Sequence, residues 1–197
     1  MEFSNKSRKY TISESYDILY KGLRTIRYLS KAKRESLIGD AFIERIMLAV
    51  TEVNGCAICS YAHAKMALEK GMDKEEIQYL LSGNLERIPK EELSAILFAQ
   101  HYAETKGHPS LETWNRILEI YGKDLALGIL AATRMIMLGN TFGIPLGSFK
   151  NRMKGKPDTY STLTYELSLL LLFLPFSIIS IPHILLASLM KSPIISF

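Results

Sequence analysis

The chain has 197 residues and a mass of 22.3 kDa, enough for one large domain or for a domain with an appendage. Hydrophobic residues at 48% and charged residues at 22% exclude a disordered chain, and two cysteines are too few for a disulfide-stapled secreted scaffold. The net charge of +4 is uneven: residues 1–39 hold nine Lys/Arg against four Asp/Glu, and the remainder hold fifteen against sixteen. A second basic cluster is Lys150, Arg152, Lys154 and Lys156. No aromatic platform or DNA-reading motif accompanies either cluster, so both read as solvated faces and no nucleic-acid partner is expected.

The start, MEFSNKSRKYTISES, lacks an apolar run, so no secretory signal is expected and the location reads as cytoplasmic. Beyond it the periodicity is helical almost throughout, and the fold class expected is all-α. Thr11-Ile-Ser-Glu14 reads as a capping box opening a helix over 12–29, with Tyr16, Leu19, Leu23, Ile26 and Leu29 on one stripe. Asp40 reads as the N-cap of a second helix to Val53, ended by Asn54-Gly55. A third runs from Cys56 to Lys70, and Asp73 opens a short fourth to Leu81. Ser82-Gly83-Asn84 is a loop, and Pro89 sits at the start of a helix reaching Thr105. Further helices are expected over 110–121 and 123–138, separated at Gly122. Gly139, Gly143, Pro145 and Gly147 then predict an extended loop. The domain boundary falls at 160, with residues 161–197 as an apolar tail.

The tail carries 24 residues without a charge, Leu167 to Met190, then Lys191. That reaches the ~20 residues needed to span a bilayer. Pro175 and Pro182 interrupt it, which predicts two short apolar helices. Packing on a partner subunit is the preferred reading of the tail, with membrane contact as its rival.

The chemistry concentrates in residues 44–63. Cys56 and Cys59 are three apart at a helix start, so their sulfurs sit on adjacent corners of one turn and can pair with little backbone movement. Amide groups at that terminus favour a thiolate on Cys56. His63, four residues after Cys59, stacks over the same face and can take up a thiol proton. Glu44, on the preceding helix, can reach His63 if the two helices pack antiparallel through Asn54-Gly55. Glu52 is a second acidic candidate, about 80° around the helix from Glu44. A zinc site needs more ligands than this pair and one histidine supply, so no metal is expected. His101, His108 and His183 read as core or surface residues, and Met135 and Met137 as packing.

The spacing Glu44, Cys56-x-x-Cys59, His63, with Leu-Ala-Val-x-x-x-Asn-Gly-Cys and Ala-His-x-x-x-Ala-Leu-x-x-Gly around it, resembles the alkyl hydroperoxidase D branch of the carboxymuconolactone decarboxylase superfamily. The resemblance is clear over residues 40–83 and fades beyond about 105. It implies an all-α fold, assembly as trimers or hexamers, and a thiol-dependent peroxidase with no cofactor beyond the redox-active Cys56–Cys59 pair. By resemblance Cys59 attacks, helped by His63 and Glu44, while Cys56 resolves and faces the donor, a lipoyl or thioredoxin-like protein. The helix-terminus argument alone favours Cys56 as attacker. Two departures stand out: Glu52 replaces a small or apolar residue, and Ala57-Ile58 lacks the aromatic or histidine often found between the cysteines. The alternatives are a dithiol–disulfide reductase without peroxidase activity and a membrane-associated redox sensor. A decarboxylase is disfavoured, because that branch generally lacks the cysteine pair.

Overall fold

Thr11 caps the first helix as the capping-box spacing predicts. Its hydroxyl accepts from the Glu14 amide at 3.2 Å, and Glu14 Oε2 accepts from the Thr11 amide at 2.8 Å. The computed structural model describes residues 7–195. Residues 1–6, part of the start where no secretory signal is expected, and 196–197, the end of the tail, lie outside them. Seven α-helices and no strand occur among the described residues: α1 (Ile12–Arg34), α2 (Asp40–Asn54), α3 (Ala57–Glu69), α4 (Lys74–Leu81), α5 (Lys90–Glu104), α6 (Leu111–Met153) and α7 (Leu163–Leu189). The fold is therefore all-α, with an apolar C-terminal helix.

α6 is the central element. Its stretch Ala126–Ala132 is buried, as are Ile136, Met137, Leu138 and Phe142. α1 lies along one side of it, α2 with α3 and α5 along another, and α7 closes the α1 side. α1 and α6 approach closely at Gly128, where a Cβ would stand 2.7 Å from Ala32 Cβ. Arg45 ties the α2 layer together, donating to Glu76 of α4 and to both carboxylate oxygens of Glu92 of α5 at 3.0 Å.

Four expectations are corrected. Gly39, not Asp40, caps α2; Asp40 instead pairs with Lys33 at 2.7 Å and Lys70 at 2.8 Å, and those ammonium groups hold its carboxyl down at about 2. Ile26 faces solvent, and Ile18 with Leu19 supplies the buried stripe of α1. The expected loop at 139–147 is helix. Gly122 (φ 69°) does break the path, but from there α6 runs on to Met153 through Pro145, because Asn140, Thr141, Phe142, Ile144, Pro145 and Ser148 are all buried. Tertiary burial outweighs the ~1 kcal/mol that each glycine costs a helix. The tail is one helix of 27 residues, not two, and both prolines lie inside it. Packing on α1 and α6 stabilises it on either side of each proline.

Candidate active site

Three helices build the site. α2 ends at Gly55, whose left-handed backbone (φ 67°) turns the chain so that α3 folds back against α2. Cys56 is the N-cap of α3, and its sulfur accepts from the Cys59 amide at 3.4 Å. Cys56 and Cys59 are joined as a disulfide, with Cα atoms 5.3 Å apart. Both are buried, Cys56 at 1% exposure and Cys59 at 7%. Cys59 is therefore the more accessible of the two.

The antiparallel α2–α3 pair brings Glu44 to His63. His63 Nδ1 stands 2.9 Å from Glu44 Oε2. An ionised carboxylate only accepts, so Nδ1 carries the proton in this contact. In the neutral ring, Nε2 is then left with a lone pair able to accept a thiol proton. The Glu44 side chain is 11% exposed and that of His63 16%, so the contact is shielded from bulk water. Glu52 does not join this pair. Its carboxylate packs over Gly83, 3.7 Å from where a Cβ there would stand, and burial together with the nearby Glu104 pushes its carboxyl up.

The third wall is α6. A Cβ on Gly143 would stand 2.7 Å from Cys59 Sγ and 2.9 Å from Cys56 Sγ, so only glycine leaves room for the paired sulfurs. One turn on, Gly147 faces Ile58, the residue between the cysteines, at an ordinary 3.4 Å. One turn before, buried Asn140 accepts from the Thr51 hydroxyl at 3.2 Å, and its Nδ2 has no partner among the described residues. Gly143 and Asn140 are absent from the site as read in sequence. Glycine spaced i, i+4 with Gly147 along an apolar run was the available signal for a close helix contact.

A cavity of ≈ 390 Å³ opens beside the start of α3. Gly55 and Ala57, the neighbours of Cys56 in sequence, line it together with Ile144, Ser148, Lys9 and Tyr160. No group of three or more His, Cys, Asp or Glu placed to hold a metal ion occurs among the described residues. The other histidines lie elsewhere: His183 stacks on Tyr20 with centroids 4.0 Å apart, His101 Nε2 accepts weakly from the Ser110 amide, and His108 is exposed.

An all-helical protein with a cysteine pair, a histidine and a glutamate at one helix junction is the class this geometry defines. Residues 21–86 match the model of the Carboxymuconolactone decarboxylase family, a stretch that contains Glu44, Glu52, Cys56, Cys59 and His63. The chain is also 25% identical over 136 residues to a protein of Bacillus subtilis (strain 168) described as "Uncharacterized protein YdfG". That similarity covers 68% of this chain and 92% of the relative. No solved structure matches the chain.

Proposed function

We propose that the protein is a thiol-dependent peroxidase of the alkyl hydroperoxidase type. The observation that carries the reading is the joining of the Cys56–Cys59 pair and the Glu44–His63 contact on one helix junction. The Cys59 thiolate attacks one peroxide oxygen and the O–O bond breaks. The sulfur becomes a sulfenic acid and the other oxygen leaves as an alcohol or water. Cys56 then attacks the Cys59 sulfur, forming the disulfide and releasing water. A dithiol donor of the lipoyl or thioredoxin-like kind reduces the disulfide by exchange and is itself oxidised to a disulfide. His63 accepts the Cys59 proton at Nε2, and Glu44 fixes the ring tautomer through Nδ1. The greater exposure of Cys59 supports its role as attacker. The cavity on the Gly55–Ala57 side supports approach of a donor toward Cys56. We place this chemistry in one helical domain, residues 1–160, with residues 161–197 as an apolar tail, in a chain that assembles as a trimer or hexamer.

Stopped-flow mixing of reduced protein with hydrogen peroxide and an organic hydroperoxide tests the reading, with mass spectrometry of the products. One equivalent of peroxide is expected to give one intramolecular disulfide. Cys59→Ser abolishes the reaction, and Cys56→Ser stops it at a sulfenic acid one oxygen heavier. His63→Gln slows it by about 10²-fold or more, the usual contribution of a positioned base. Glu44→Gln slows it less, and both variants are expected to move the pH profile of Cys59 alkylation to higher pH. A dithiol that ignores peroxide yet exchanges rapidly with lipoamide would sink the peroxidase and leave a disulfide reductase, which the same buried pair also supports.

A further inference from the structure

α7 is apolar on every side, yet only 17% of its most apolar 18-residue stretch is buried. Its inner stripe, with Glu166, Leu169, Ser180 and Ala187, packs on the body. Its outer face presents Leu171 at 72% exposure, Leu174 at 65%, Ile178 at 59%, Ile181 at 58%, Leu185 at 60% and Leu189 at 81%. Helices apolar all round are normally covered, and a continuous exposed patch of this kind marks a contact surface.

We propose that this face lies in the surface layer of an anionic lipid bilayer, with α7 parallel to the membrane and still docked on the protein. Two observations select lipid over a second copy of the chain, and a third selects how the helix lies. First, the outer face offers almost nothing for a hydrogen bond. Ser177 donates back to the helix carbonyl of Phe173 at 2.8 Å and His183 is engaged with Tyr16 and Tyr20, which leaves the exposed hydroxyls of Ser188 and, at the helix start, Thr164. Protein interfaces carry about one hydrogen bond per 100–200 Å², which fixes register; lipid needs none. Second, the 27-residue helix, about 40 Å long and with the buried Glu166 as its single Asp, Glu, Lys or Arg side chain, is bracketed by cations. Lys150, Lys154 and Lys156 stand exposed before α7 and Lys191 after it, and none has an acidic partner among the described residues, whereas Arg152 is taken up by Glu166. Such flanks suit anionic headgroups. Third, the helix is tied down at its start and just past its end, which favours lying on the bilayer over crossing it. Tyr10 N donates to Tyr165 Oη at 3.3 Å at one end. Arg24 donates to the Ser192 and Pro193 carbonyls at 2.6 and 2.9 Å at the other, and Arg134 to Ile194 at 3.0 Å.

The test is co-sedimentation of the full chain with phosphatidylcholine vesicles, with and without phosphatidylglycerol, beside sedimentation velocity without lipid. Binding is expected to be at least tenfold tighter to the anionic vesicles and to weaken with salt. The triple variant Leu171→Gln, Ile178→Gln, Leu185→Gln keeps its helical circular dichroism, since these side chains point away from the body, and loses at least tenfold in vesicle binding. Lys150→Gln with Lys154→Gln and Lys156→Gln removes the preference for anionic lipid. No vesicle binding, combined with an oligomer that the triple variant dissociates, overturns the proposal and makes the face a subunit interface. Absence of both vesicle binding and oligomer overturns it as well.

Discussion

Both sulfurs lie within 3 Å of where a Cβ at residue 143 would stand, so this position tests how tightly the site is built around the disulfide. Gly143→Ala overpacks the oxidised state by about 1–3 kcal/mol, while separated thiols can turn away. The reduction potential is then expected to rise by about 20–60 mV, read by equilibration against a dithiol buffer. Gly147→Ala, whose Cβ would meet Ile58 at an ordinary 3.4 Å, serves as the control and leaves the potential in place. An unchanged potential in Gly143→Ala would mean that the sulfurs shift freely and that α6 is no wall of the site. The sequence made Glu44, Cys56, Cys59 and His63 legible because their relations are local: one helical turn, one helix start and one short connection. Gly143 was not legible, because its partners lie more than eighty residues away and its neighbours read as a loop. Glu52 shows the converse. Its spacing from Glu44 suggested a shared cleft, but its carboxylate lies near Gly83 and Glu104. Burial raises its folded-state pKa above the unfolded value. The penalty is therefore fully present above the folded pKa and is relieved as the pH falls through it toward the unfolded value. Glu52→Gln is expected to raise Tm by about 1–2 °C at pH 7, the scale of a modest polar change in a chain of this size. That gain should shrink as the pH falls toward 4, measured by thermal melts across pH.

At the scale of elements, α6 and α7 show where local signals lose to packing. Thr11, Asp73, Gly55 and Gly122 behave as their chemistry predicts, because a cap or a left-handed turn depends on few neighbours. Gly139, Gly143, Pro145 and Gly147 do not, because α1, α2, α3 and α7 all pack against the helix that contains them. The prolines of α7 are overridden in the same way. Capping signals could be read, with Asp40 the exception because its carboxylate is drawn to Lys33 and Lys70; the weight of a partner helix could not. The α2–α4–α5 layer hinges on another such long-range feature. Arg45 holds Glu76 and Glu92, with side-chain exposures of 11% and 14%, and burial pushes the Glu92 carboxyl up against the pull of Arg45. Arg45→Met leaves two shielded carboxylates facing each other without a cation and is expected to cost about 3–5 kcal/mol. Adding Glu76→Gln and Glu92→Gln should restore most of it, since a neutral cluster carries no stranded charge. Urea denaturation of the single and triple variants measures the difference. If the single variant is as stable as wild type, the network does not hold the layer.

For the whole molecule, the question is what the disulfide contributes to stability beside its chemistry. It joins residues only three apart, at the edge of a core centred on α6. Closing so short a loop constrains the unfolded chain by about 2 kcal/mol at 25 °C in the chain-entropy account. Most of the fold rests elsewhere: on α1 against α6, on the Tyr10 hydroxyl donating to Asn54 Oδ1 at 2.7 Å, and on Tyr102 beneath the buried guanidinium of Arg134. The α7 segment adds the Arg152–Glu166 pair, and residues 192–195 after it add Ile195, buried with 7% exposure. None of these contacts passes through sulfur. The redox cycle proposed for Cys56 and Cys59 would therefore turn over without unfolding the scaffold that aligns Glu44 and His63. Full reduction by excess dithiol is expected to leave far-UV circular dichroism at 25 °C unchanged and to lower Tm by about 4–8 °C. Loss of helical signal on reduction, at a temperature where the oxidised protein is folded, would make the pair a structural staple and would remove the physical basis for repeated turnover.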